Sequence, residues 1–467
     1  MGECQPKILR VKNINDTKKT EEGLTDQVFQ AGAATADITP PLGEFVVGGF
    51  TPFPATAIHD QLQSRCLVLD DGQTQIAFVI CDNLGIPREV YDRARLIIAQ
   101  ETELPVENIL MAATHTHSAT RAQTDNYRPK VVRGIADSVR LAVDNLAPAR
   151  IGWGRINEPS EVFNRRWHVT DSSLLKNPFG GIDQVRMNPP QGHAALVEPA
   201  GPTDPEIFFL SLQATNGCPI ALLANYSLHY VGGVNKGDLS ADYFGIFCNR
   251  IAELLGATSS QPSFVGMLSN GTSGDINNIN FRYSGEKYEP YERMNQVGEL
   301  IAKRVKEAHD QIKLYDWVPL ISAVRELKLQ LLKPNERMQK YISEVLAKPK
   351  TSPQYHQYER NYAERVQRLL VGPDEVTVPL QTIRVGEIGV AAIPFEVFAE
   401  TGLEIKDGTS VTDAFTIELA NDYHGYLPTP SQHKLGGYET WMGTSKVQLD
   451  ASELIKHIIL DMMNNLE

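Results

Sequence analysis

Cysteine is scarce in this chain, with five residues in 467 and no C-x-x-C spacing. That excludes the disulfide frameworks of small secreted domains and zinc modules built on cysteine pairs. Cys66, Cys81, Cys218 and Cys248 sit in or beside apolar runs and are expected to be buried free thiols. Long apolar runs are missing as well. Stretches such as Ile76-Ala-Phe-Val-Ile-Cys81 and Val390 to Pro394 fall far short of the roughly 20 residues that cross a bilayer, so a soluble protein is expected. Positive charge is in deficit: the net charge is -13 and no basic stripe runs through it, which argues against nucleic acid or an anionic membrane as a standing partner. Internal repeats and low-complexity linkers are also absent.

What is present is ordinary globular composition, 42% hydrophobic and 22% charged, in a chain long enough for a sizeable core. Residues 1–28 open with a polar, Lys-rich segment without the apolar centre of a secretory signal. They are expected to be a disordered lead-in or the remainder of a processed one, with a catalytic domain over 29–467. Strand and helix signals alternate, which predicts an α/β fold with mixed sheets in layers. Cys66 to Leu69 and Gln75 to Asp82 flank an Asp71-Gly72 turn, the strongest hairpin signal of the chain. Helical spacing is read at 88–102, 130–146, 243–255, 291–311, 336–348, 354–370 and 452–464. Strands are read at 109–113, 207–214, 220–226, 263–268, 320–331, 376–385, 388–393 and 415–419. Between Gly154 and Pro205 the chain is rich in Pro, Asn, Gly and Arg with little periodicity, the mark of a binding loop or lid.

The chemistry gathers where apolar runs stop. Ile109 to Ala113 leads into Thr114-His-Thr-His-Ser118, Ala221 to Tyr226 into His229, and Val390 to Ile393 into Glu396; Phe415 to Leu419 leads to a loop with Tyr423 and Tyr426. Strand ends converging on a crevice are the usual site of an α/β fold. Two imidazoles, a carboxylate and a phenol suit a borderline divalent ion, Zn²⁺ first. His115 and His117 are expected on opposite sides of the strand end, so that one is a ligand and the other serves nearby. Singly, each residue also has a structural reading, His229 as a core histidine and Glu396 as a carboxylate at a helix start.

The chain resembles the catalytic domain of the neutral/alkaline non-lysosomal ceramidase family from about Ala31 to about Ser445. Ala31-Gly-Ala-Ala-Thr-Ala-Asp-Ile-Thr-Pro40 is similar to the family's A-G-x-x-x-A-D-I-T, followed by Gly48-Gly49-Phe50 and by Ile58-His-Asp-Gln-Leu-Gln-Ser-Arg65. Thr114-His-Thr-His-Ser118 matches T-H-T-H-S, the family's most specific motif. Asn164-Arg165, His229, Ile393-Pro-Phe-Glu396, Asn421-Asp-Tyr-His-Gly-Tyr426 and Gly437-Tyr438-Glu439 follow in the family's order. The resemblance implies zinc held by His115, His229 and Glu396, with Tyr426 as a weaker partner and His117 as the acid/base residue. It implies that Arg165 and Tyr438 stabilise an oxyanion, and that Asn164, Asp275, Asn277 and Arg121 stand on the substrate side.

Three departures bear on the reaction. Where the family has G-D-V-S-P-N, this chain has Gly274-Asp-Ile-Asn-Asn-Ile279, so Asn277 replaces the family's site serine and no serine nucleophile is available there. T-H-T-H-S continues into Ala-Thr-Arg, which puts Arg121 near the mouth and, with Arg165 and Arg166, suits an anionic or polyhydroxylated substrate. The family's further β-sandwich domain is expected to be lacking, which turns the expectation from long-chain ceramide toward a small or polar N-acyl compound. The expected function is therefore a zinc hydrolase that cleaves an amide by metal-activated water. The alternatives are a metal-dependent lyase, isomerase or hydrolase of a sugar-like substrate, or a binding protein. Oligomeric state and compartment stay open.

Overall fold

The computed structural model describes residues 28–465; apart from Val28, the lead-in expected over 1–28 lies outside the described residues. Strands β1 (Gln30–Asp37), β2 (Gln63–Asp70) and β3 (Gln75–Cys81), helix α1 (Arg88–Glu101), β4 (Ile109–Ala113), helix α2 (Arg128–Asp144) and β5 (Ala147–Asn157) come first. They are followed by β6 (Glu206–Ala214), β7 (Pro219–Tyr226), helix α3 (Asp242–Leu254), β8 (Val265–Asn270) and helix α4 (Glu292–His309). The strands form a mixed sheet in the order β8-β7-β6-β5-β1-β2-β3-β4, with Leu314–Tyr315 pairing against β5 as its ninth member. The outermost pairs, β7 with β8 and β3 with β4, are parallel. The pairs between them are antiparallel.

A second sheet follows. Strand β9 (Leu320–Gln330), helices α5 (Glu336–Ala347) and α6 (Glu359–Val371), β10 (Glu375–Val385), β11 (Ile388–Ile393), helix α7 (Ala399–Gly408) and β12 (Asp413–Glu418) give the order β9-β10-β11-β12. Its last pair, β11 with β12, is again parallel. Helices α8 (Pro430–Leu435) and α9 (Ala451–Asn464) complete the chain.

Side-chain alternation explains how these sheets pack, because successive residues of a strand face opposite ways. Leu67, Ile76, Phe78, Phe208 and Leu210 of the first sheet share one buried cluster with Ile383, Val390 and Phe415 of the second. The alternate residues Cys66, Val68, Ala77 and Val79 pack under α1 and α2, and Ile207 and Phe209 under α3 and α4. On the far side Val378, Leu380 and Ile393 pack under α7 and α9. The result is four layers, helices on either side of two sheets that face each other. Layered mixed sheets are what the sequence predicts, and pairing the sheets face to face is what keeps both faces of nearly every strand apolar.

Most expected elements lie within a few residues of their observed bounds. The hairpin turn falls at Asp71-Gly72, where Gly72 takes φ +88 and the Asp71 carboxylate accepts from the backbone N–H groups of Gln73 and Thr74. Three readings are corrected. The stretch from Gly154 to Pro205 is not loop throughout: β5 runs on to Asn157, and Arg166–Val169 pairs with Val185–Met187 and Leu196–Pro199 in a small sheet. Those strands are three or four residues long, too short to show a period. Helix α7 went unread because Gly402 interrupts its pattern; a Cβ there would stand 2.3 Å from the Thr272 hydroxyl, so close packing excludes any side chain. Cys66, Cys81 and Cys248 are buried free thiols as expected, whereas Cys218, at the half-exposed turn between β6 and β7, is disulfide-bonded.

Phe208 of β6 and Phe415 of β12 stack across the two sheets with centroids 5.0 Å apart. Phe415→Ala is expected to cost about 3–5 kcal/mol in chemical denaturation, the usual loss for an aromatic side chain removed from a packed core. A loss below about 1 kcal/mol, the range of surface changes, would contradict a shared inter-sheet core.

Candidate active site

The parallel strand pairs carry the chemistry at their carboxyl ends. Strand β4 delivers His115 and His117, β7 delivers His229, β8 leads to Ser273, β11 delivers Glu396, and β12 leads to Tyr423 and Tyr426. The two sheets are stitched together at this point. The Asn421 N–H donates to the Met111 carbonyl (2.7 Å), while the Asn421 side-chain oxygen accepts from Met111 N–H and from Arg95. Leu419 N–H donates to Phe395, and Glu396 N–H to Gly425. His115, Leu419 and Asn421 all have positive φ (72°, 55° and 63°). Side chains other than glycine's pay for that conformation, and such strain gathers where a site over-determines its backbone.

The expectation that His115 and His117 point to opposite sides is corrected: positions i and i+2 of an extended chain share a face, and here, just past the strand end at Ala113 and with His115 at positive φ, both imidazoles lie on the same side. Nε2 of His117 lies 3.2 Å from Nε2 of His115, which lies 3.1 Å from Nε2 of His229. Oε2 of Glu396 is 3.4 Å from the first of these ligand-facing nitrogens on His115 and 3.6 Å from that of His229. The opposite ring nitrogens are committed elsewhere: Nδ1 of His115 donates to the Leu84 carbonyl (2.5 Å) and Nδ1 of His229 to the Ser273 carbonyl (2.9 Å). A carbonyl can only accept, so the protons sit on Nδ1 and the converging Nε2 atoms present lone pairs. Burial, and then the charge of Arg165 and the neighbouring imidazoles, holds His229 well below the ordinary histidine range; burial, His115 and Arg165 do the same to His117. His117 and His229 are therefore neutral, and the contact of His229 with Glu396 is not an imidazolium salt bridge.

Two lone pairs 3.1 Å apart repel, and the buried Glu396 Oε2 has no hydrogen-bond partner. Neutral imidazoles with a carboxylate oxygen are the donor set of a divalent cation such as zinc, and the residues fit that group. His115, His117 and His229 form a cluster able to hold a metal ion. Burial alone would raise the Glu396 carboxyl, but His115 and the hydroxyls of Tyr426 and Tyr423 bring it below the ordinary range.

Around this centre lies a cavity of about 500 Å³ lined by His115, His117, Arg121, Glu396, Tyr426 and Tyr438, among others. His117 is clamped between the Tyr230 ring, stacked at 3.7 Å, and Gly48, where a Cβ would stand 2.3 Å from the His117 carbonyl oxygen. Arg165 is buried; its Nη2 donates to the Tyr426 hydroxyl (2.9 Å) and its Nε to Glu439 (2.8 Å), whose other oxygen accepts from Arg166 (2.7 Å). Asn164 donates to Asp275 (2.6 Å), which also accepts from Ala399 N–H at the start of α7. Burial pushes the Asp275 carboxyl up to about 6. Asn277 donates to Asn188. Asn164, Arg165, Asp275 and Asn277 thus brace the wall and do not line the cavity. Arg165 and Arg166, read from the sequence beside Arg121 as substrate-facing, are sequestered by Glu439.

Sequence reasoning gave two groups no role. Tyr423 donates to Glu396 Oε1 (2.7 Å), and Glu418 pairs with the Ser273 hydroxyl (2.6 Å) behind His229. Tyr423 had a signal, standing directly before His424-Gly425-Tyr426; Glu418 had none, since it and Thr416 simply alternate with the apolar Phe415 and Ile417.

Residues 29–287, more than half of the chain, match the family described as neutral/alkaline non-lysosomal ceramidase, N-terminal. Neutral ceramidase from Pseudomonas aeruginosa has a similar crystal structure, at 18% identity and a TM-score of 0.70, with 94% of this chain and 75% of that one covered. A structure described as "Ceramidase complexed with C2" is similar at 17% identity and a TM-score of 0.69, with the same coverage. At these identities the likeness is one of fold.

Exhaustive chelation is expected to lower the Tm, and a divalent ion to restore it, because an ion that binds the folded state alone stabilises it by mass action. Glu396→Gln is expected to abolish the response; an unchanged response in that variant would remove Glu396 from the site.

Proposed function

Because the chain belongs to the neutral/alkaline non-lysosomal ceramidase family, we propose that it is a metal-dependent amidohydrolase that uses water to cleave the N-acyl bond of a lipid-like or small-molecule substrate. The observation that carries this reading is the convergence of three Nε2 atoms and the partnerless Glu396 Oε2 on one buried point. His115, His229 and Glu396 hold the ion, with the Tyr426 hydroxyl as the weaker fourth partner. When bound, Zn²⁺ supplies Lewis acidity, lowering the pKa of water toward neutrality and polarising a carbonyl.

The protein's own groups then divide the remaining work. His117 is neutral and faces the cavity, so it accepts the proton of the attacking water at Nε2 and delivers it to the departing amine nitrogen. Its stacking on Tyr230 and its backbone hydrogen bond with Gly48 hold the ring for both transfers. The Tyr438 hydroxyl borders the cavity and donates to the oxyanion that forms on the carbonyl carbon. Arg165 supports that charge through Tyr426, whose hydroxyl it fixes, and is itself anchored by Glu439. Asn277 at the place of the family's serine is consistent with water as the nucleophile, since a carboxamide cannot form an acyl-enzyme. Asn164 and Asp275 keep Arg165 in place, the Asp275 carbonyl accepting the Arg165 backbone N–H (2.8 Å).

The test is amine release from a panel of N-acyl compounds headed by a short-chain fluorescent ceramide, with metal content measured alongside. His117→Ala is expected to lower kcat by about 10²- to 10⁴-fold, the usual contribution of a general acid–base group, with the metal retained. Full activity in that variant would remove His117 from the mechanism, and no turnover of any amide by metal-loaded protein would overturn the function.

A further inference from the structure

We propose that the cavity beside the metal centre recognises an anionic group, so that the N-acyl compound cleaved carries a carboxylate, phosphate or sulfate. The lining has four cationic side chains: Arg121 from the loop after Ser118, Arg365 and Arg368 one turn apart on α6, and Lys446 ahead of α9. Its sole carboxylate is Glu396, which is turned toward the imidazoles. Among the described residues none of the four cations makes an ion pair with a carboxylate. The chain as a whole has 57 acidic residues against 44 Lys and Arg. Most arginines elsewhere are matched, as Arg128 with Asp125, Arg133 with Glu101, Arg140 with Asp144 and Arg304 with Glu307.

Two of the cations, Arg365 and Lys446, are held in place without an ion pair. The Arg365 guanidinium lies over the rings of Tyr362 (4.9 Å) and Phe50 (5.8 Å), and its Cβ packs where a Cβ on Gly443 would stand only 2.9 Å away. The Lys446 side chain crosses Gly425, next to Tyr426, with its Cε 3.9 Å from where a Cβ would be. Burial, and then the charges of Arg121 and Arg365, pull the Lys446 ammonium below its ordinary range against the opposing charges of Glu396 and Asp422. A divalent ion at the imidazoles adds charge of the same sign. Like charges gathered in a partly enclosed cavity repel, and an anion entering it relieves that repulsion through charge-assisted hydrogen bonds from the guanidinium forks. A neutral lipid amide has no group to do so.

The choice of reaction rests on the amidohydrolase reading, whereas the anion preference is a binding property, so the experiment reads both. N-hexanoylglycine and its near-isosteric carboxamide, N-hexanoylglycinamide, are compared with the metal-loaded protein by kcat/KM and by calorimetric Kd. N-hexanoyl-O-phosphoethanolamine separates phosphate from carboxylate recognition. The carboxylate or the phosphate is expected to win over the carboxamide by about tenfold or more, the worth of one charge-assisted hydrogen bond. In Arg365→Gln/Arg368→Gln the preference is expected to collapse while the carboxamide values stay within about twofold of wild type, which also shows that the variant is folded. Arg368→Gln alone, at an exposed position, is expected to weaken the preference in the same direction. Anions that bind more tightly without any amide turnover would support the anion site and sink the amidohydrolase reading. Equal Kd and kcat/KM for charged and neutral compounds, or a preference that survives the double substitution, would overturn the inference.

Discussion

Imidazole lone pairs forced to face one another in a buried crevice are the constraint on which this structure turns. Left alone, the arrangement of His115, His229 and Glu396 Oε2 is unfavourable, since nothing the protein supplies lies between the Nε2 atoms. It persists because each ring is held from behind by a different part of the chain: Leu84 for His115, Ser273 for His229, and Gly48 with Tyr230 for His117. Those carbonyls also settle the tautomer. Burial and the nearby Arg165 keep His117 and His229 neutral where solvent-exposed histidines would begin to protonate. A donor set made neutral, dehydrated and preorientated is one that binds a cation with little reorganisation.

The layered fold supplies that preorganisation. Three parallel pairs, β3 with β4, β7 with β8 and β11 with β12, send their carboxyl ends to one crevice although they belong to two sheets. The sheets stay in register there through Met111 and Asn421, and positive φ angles at His115, Leu419 and Asn421 accommodate the junction. The shared core of Phe208, Phe415 and their neighbours holds that geometry at a distance from the crevice. Packing density in such a core resists the small shifts that would separate the ligands.

Glu439 is the second organising point. It divides its two oxygens between the buried Arg165 and Arg166, so one carboxylate answers two guanidinium groups that would otherwise be unpaired in a dry environment. Arg165 thereby becomes a positioning residue for Tyr426, while Arg166 ties α8 to the small sheet through Gln432 and Gly436. With those arginines satisfied internally, the uncompensated charge of the cavity comes from Arg121, Arg365, Arg368 and Lys446. The protein is acidic as a whole, whereas the charged lining of this cavity is mainly cationic.

The helices and the central strands were legible because their apolar residues recur at clear periods, and the ends of β4, β7, β11 and β12 were legible because each apolar run stops at a polar residue able to bind metal. The resemblance carried by Thr114-His-Thr-His-Ser118 and its companions then tied those ends into one order along the chain. Other features left no pattern to read. Three-residue strands such as Val185–Met187 are made by backbone pairing, not periodicity; Gly402 disguised α7; and Glu418 only alternates with the apolar residues of its strand. By itself, then, the sequence determined which segments become strands and helices and which residue types stand at their ends, because those depend on local periodicity. Only the tertiary structure decided that His229 and Glu396 meet His115 and His117 in one crevice, that Arg165 and Arg166 share Glu439 inside the wall, and that four cations from distant segments border one cavity. Those outcomes depend on contacts across hundreds of residues, which no local pattern encodes.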